Sequence, residues 1–109
     1  MSAWAWLAGA IAAEITATSA LKLSDGFQRL LPSAVVALGY AAAFYGLSMA
    51  VRTLPLGIVY AVWSGIGTVG AILVGRWLFG ESLGLLQYLG VVLVLGGVVL
   101  INASREGVF

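Results

Sequence analysis

The sequence has no cysteine and no histidine, and only five basic and four acidic residues among 109. Without cysteine, disulfides and thiolate metal sites are excluded, and without histidine the usual proton shuttle and metal ligand are gone. A soluble domain carries about 25% charged residues, whereas here the share is 8%, against 62% hydrophobic. Water is therefore not the solvent for most of this surface. The basic residues are scattered one per loop or end, so nothing supports nucleic-acid binding. No nucleophile, base and oxyanion donors stand together, which argues against an enzyme, and no cofactor or metal is implied.

What is present is apolar sequence in four stretches, Ala3–Leu21, Ser33–Val51, Leu56–Gly75 and Ser82–Ile101, each of 19 or 20 residues. Apart from one acid in the first, none carries a charge. This predicts an all-α membrane protein, a single domain (1–109) of four transmembrane helices joined by very short loops. The first stretch has no Lys or Arg before it and an acid in its middle, which argues against a cleaved signal peptide. Ser24-Asp25-Gly26 reads as a turn, and Pro32 as the start of the second helix. Lys22, Arg29 and Arg76 fall on one side, Arg52 and Arg105 on the other, a balance too even to orient the chain.

The exception is Glu14. A 19-residue helix spans roughly 28 Å, and Glu14 lies near its midpoint. An ionisable side chain at that depth costs a few kcal/mol or more and marks an ion, proton or substrate pathway. Ala10, Ile11, Ala17 and Thr18 share its face, and small side chains there would leave room beside the carboxylate. Thr18 can donate to the acid or to its own helix backbone, with the backbone favoured. A structural pairing with a base has only Lys22 within sequence reach, two turns away at the membrane edge.

Tyr40 and Phe44 on the second stretch, and Tyr60, Trp63 and Ser64 on the third, recur at helical spacing. Such stripes serve packing or lipid contact more often than binding. An acid with aromatic faces nevertheless offers what a lipophilic cation needs, a countercharge and electron-rich rings. Gly65 and Gly67 weaken the third helix and permit a hinge or simply close packing. Gly90, Val94 and Gly97 form a stripe on the fourth, suited to helix association within the chain or between copies. Four short helices enclose little volume, so a homodimer with two copies of Glu14 would make a more adequate chamber. If protons and a cation compete for the same carboxylates, occupancy is exclusive and exchange becomes antiport.

These residues resemble the small multidrug resistance family of bacterial inner-membrane exporters. The resemblance covers essentially the whole chain. It rests on Ala13-Glu14, Leu21-Lys22, Gly26-Phe27, Pro32-Ser33, Tyr40 and the long run from Leu54-Pro55-Leu56-Gly57 through Tyr60-Ala61-Val62-Trp63-Ser64-Gly65-Ile66-Gly67. It implies a multi-pass inner-membrane protein working as an antiparallel, dual-topology homodimer that exchanges protons for cations. It further implies proton and substrate binding at Glu14, a pocket lined by Tyr40, Tyr60 and Trp63, bending at Gly65–Gly67 and a dimer contact through Gly90 and Gly97. Thr18, Phe44 and Ser64 are added to the pocket and Val94 to the contact on spacing. Guanidinium exporters of the family usually carry Trp three residues after the acid, where this chain has Ala17, and Ser64 after Trp63 also favours the quaternary-ammonium branch. The rival expectations are guanidinium export and a non-transporting partner subunit of a membrane heterodimer.

Overall fold

The computed structural model describes residues 2–105, with side chains to residue 103. The Arg105 side chain, counted above in the charge balance, and the terminal amine lie outside them. Four helices follow in order: α1 (Ala3–Leu23), α2 (Leu30–Ala50), α3 (Leu56–Leu78) and α4 (Leu85–Arg105). No strand occurs among the described residues. Three segments, Leu30–Ala50, Leu56–Leu78 and Leu85–Ala103, are long and apolar enough to cross a membrane. At 21 residues α1 matches α2 in length, but Glu14, Thr16, Thr18, Ser19 and Lys22 make it the most polar of the four.

The helices end where backbone chemistry ends them rather than at the first charge. α3 runs through Arg76 and Trp77 and stops only at Gly80, whose φ of 69° suits a glycine. The Glu81 N–H then donates to the Gly75 carbonyl over 2.9 Å. At α2, Ser33 caps back onto Arg29, its N–H and its hydroxyl donating to that carbonyl at 3.2 and 2.6 Å. The helix accordingly begins before Pro32, which falls in the first turn where no N–H is required. Ser82 to Gly84 stay outside α4, because Gln87 reaches back from the first turn to accept the Gly84 N–H at 2.8 Å.

The chain divides into two compact units, Met1–Pro55 and Leu56–Phe109. In the first, α1 packs along α2 through small residues. A Cβ on Gly39 would lie 2.7 Å from Ala17 Cβ, and one on Gly46 2.9 Å from Ala10 Cβ and 3.0 Å from the Trp6 carbonyl oxygen. Rising numbers on α2 meet falling numbers on α1, so the pair is antiparallel. Close backbone approach of this kind supplies dispersion contact where lipid offers no hydrophobic drive. Trp6 and Tyr45 add an edge-to-face ring pair, centroids 5.6 Å apart at 74°.

The link between α1 and α2 is built on Ser24, which is fully buried. Its hydroxyl donates to the Leu21 carbonyl at 2.7 Å and accepts the Phe27 N–H at 3.1 Å. Its carbonyl accepts the N–H groups of Gln28 and Arg29. Asp25, Gly26 and Phe27 all take positive φ to make this turn. In the second unit, α3 packs on α4. There a Cβ on Gly65 would run into Val98 and lie 3.4 Å from Val94.

Candidate functional site

Glu14 lies midway along α1 and is half-buried. Its Oε1 accepts a hydrogen bond from the Thr18 hydroxyl at 2.8 Å. The expectation that Thr18 would bond its own backbone is therefore corrected. Thr16 does behave that way, donating to the Ala12 carbonyl at 2.9 Å, as does Ser19 to Ile15 at 2.8 Å. Thr18 differs because a second hydroxyl waits beside it. The Tyr40 hydroxyl of α2 stands 2.7 Å from Thr18 Oγ1, and turning Thr18 toward both groups gives it two polar partners instead of one.

The face around the acid is also not as the spacing suggested. Ala10, Ile11 and Ala17 are buried, and the two alanines receive the backbone of Gly46 and Gly39. They are a helix–helix contact rather than free space.

The other candidates are placed as follows. Phe44, one turn beyond Tyr40, is exposed on α2. In the second unit, Tyr60 and Ser64 are exposed on α3 and Trp63 is half-buried. Gly65 and Gly67 are both buried, and α3 continues unbroken through them. Val94 faces Gly65 within its own hairpin, while Gly90 and Gly97 have no atom within 4 Å of a built Cβ. Sequence reasoning passed over Gly39 and Gly46. Their seven-residue spacing, matched by Ala10 and Ala17, was the available signal. It also passed over a cavity of about 260 Å³ lined by Ala3, Trp6, Met49, Arg52 and Thr53. That volume falls short of the roughly 300–1,000 Å³ of ligand pockets, and Glu14 is not among its lining residues.

Four long helices, three of them apolar enough to span a bilayer, and one carboxylate within the helical run define an all-α, multi-pass membrane protein. Over residues 2–94 it matches the family described as Small Multidrug Resistance protein. It is 46% identical over 102 residues to the quaternary ammonium compound-resistance protein QacE of Escherichia coli, covering 94% of this chain and 93% of that one. To QacF of Klebsiella aerogenes, named for the same resistance, it is 47% identical, with the same coverage. The multidrug resistance protein EbrB of Bacillus licheniformis is 42% identical over 96% of this chain and 88% of its own. The chain belongs to the small multidrug resistance family of bacterial membrane proteins, whose members are transporters rather than enzymes.

Proposed function

We propose that this protein exports lipophilic and quaternary ammonium cations across the bacterial inner membrane in exchange for protons, with both ligands competing for Glu14. The observation that carries this is Glu14 itself, a carboxylate midway along a helix whose hydrogen bond comes from a neutral hydroxyl. Thr18 and Tyr40 are neutral, so neither competes with a proton or an organic cation for the charge of the carboxylate. The relatives named for quaternary ammonium resistance support the cation class. Tyr60, Trp63, Phe44 and Ser64 serve the cation by ring faces and a hydroxyl, and the glycines at 65 and 67 let α3 bend. Gly90 and Gly97 contact a second copy in an antiparallel, dual-topology homodimer, with Val94 completing the stripe from within the hairpin.

The test is proton release from detergent-solubilised protein on adding tetraphenylphosphonium or guanidinium, with Glu14→Gln as the control. Release by the lipophilic cation that disappears in the variant is expected. Release by guanidinium alone would move the protein to guanidinium export. Silence with both would leave it a non-transporting partner subunit for these ligands.

A further inference from the structure

Tyr40 and Glu14 sit on different helices, and Thr18 lies between them. When Glu14 is ionised, proton inventory fixes the direction of these bonds. An ionised carboxylate only accepts, so the Thr18 hydroxyl spends its single hydrogen on Glu14 Oε1. The 2.7 Å contact between Thr18 Oγ1 and the Tyr40 hydroxyl must then be a bond in which Tyr40 donates. The order is Tyr40 to Thr18 to Glu14. Hydrogen bonds in series polarise one another, so each donor strengthens the next. The neighbouring hydroxyls of Thr16, Ser19 and Ser48 turn to their own helix carbonyls. The Thr18 rotamer is thus an exception that only its two polar neighbours explain.

A proton on Glu14 Oε1 undoes this order. The acid becomes a donor at that oxygen, Thr18 must accept from it, and its hydrogen must swing to the Tyr40 oxygen. The state of an acid on α1 is thereby expressed as the orientation of a hydroxyl on α2. We propose that Tyr40 is a positioning residue, acting on the bound cation through Thr18 and Glu14 rather than by touching the cation. Its phenol donor holds the Thr18 hydroxyl turned toward the carboxylate that pairs with the cation. This rests on Glu14 being the cation site, as proposed above.

The experiment is a double-mutant cycle on tetraphenylphosphonium affinity at one pH, measured calorimetrically in detergent. Its variants are Tyr40→Phe, Thr18→Val, both together, and Thr18→Ser. Tyr40→Phe removes one hydrogen bond between neutral hydroxyls and is expected to weaken binding about fivefold. In the Thr18→Val background the same change costs less than about twofold. Thr18→Ser, which keeps the hydroxyl, retains the full Tyr40 dependence. Thr18→Ala serves as a second break in the chain should Thr18→Val not be recovered folded. An equal Tyr40→Phe penalty with and without the Thr18 hydroxyl would overturn the proposal and place the phenol on the cation. Glu14→Gln binding as well as the unaltered protein would instead sink the cation site itself, and the relay's purpose with it.

Discussion

The two helical hairpins solve the same packing problem differently. α1 and α2 approach through Gly39 and Gly46, which leave no room for a Cβ against Ala17, Ala10 and the α1 backbone. α3 and α4 meet where Gly65 receives the side chains of Val98 and Val94, and none of Leu85–Ala103 is buried. The first hairpin sets glycine backbone against alanine methyls and the α1 backbone, none of which can turn aside. The second is a side-chain contact that can repack. The tight hairpin carries the hydroxyl chain to Glu14, and that is where precision is needed, since a 2.7 Å bond between helices tolerates no slack. On α4 a Cβ built at Gly90, Gly96 or Gly97 would meet no side chain or neighbouring helix within 4 Å.

The largest way to break this contrast is to add bulk at equivalent-looking glycines. Gly46→Leu should cost about 3 kcal/mol or more, because the leucine meets Ala10 Cβ and the Trp6 carbonyl, neither of which can swing aside. Gly97→Leu meets no atom within 4 Å and should change hairpin stability by under about 0.5 kcal/mol. Unfolding in dodecyl maltoside by SDS titration, followed by far-ultraviolet circular dichroism, reads both. Size-exclusion chromatography adds a second readout. A Gly97→Leu chain that keeps its helicity but elutes as a monomer would support the dimer contact, and one that stays dimeric would remove Gly97 from it.

The middle effect sharpens the claim that α3 and α4 can repack. Gly65→Ala drives a methyl into Val98, so it should destabilise by about 1–2 kcal/mol. Unlike the backbone clash at Gly46, this one has a removable partner. Val98→Ala in the same chain should recover most of the loss, a coupling the double-mutant cycle isolates. Failure of that rescue would mean that the second hairpin is as rigid as the first.

The same contrast explains what could be read without coordinates. Glu14 announced itself because one charge in 19 apolar residues is a compositional fact, independent of packing. The four helices were legible for the same reason, but their ends were not. The third was expected to close at Gly75, before the charge at Arg76, yet a helix in a membrane interface carries Arg and Trp readily, and the φ of Gly80 is what stops it. Thr18 was misread because its rotamer depends on Tyr40, 22 residues away, and no local rule sees across helices. The glycine stripes were equally visible on α2 and α4, and spacing alone did not say which one met its own chain.

The smallest expected effect concerns the ring pair in the tight hairpin. Trp6 is half-buried and Tyr45 is 59% exposed, so neither is anchored by a core. If backbone approach at Gly39 and Gly46 sets the spacing of α1 and α2, the edge-to-face contact at 5.6 Å is a consequence of that spacing and contributes little. Aromatic pairs of this geometry are worth about 0.5–1.5 kcal/mol beyond their area. A cycle of Trp6→Leu and Tyr45→Leu, read by the same SDS titration, should give a coupling at the low end of that range. Tyr45→Phe should leave the coupling intact, because the ring edge and not the hydroxyl makes the contact. A coupling at or above the upper figure would reverse the order of cause. The rings would then be clamping the helices, and the glycines would merely be permitting them to come close.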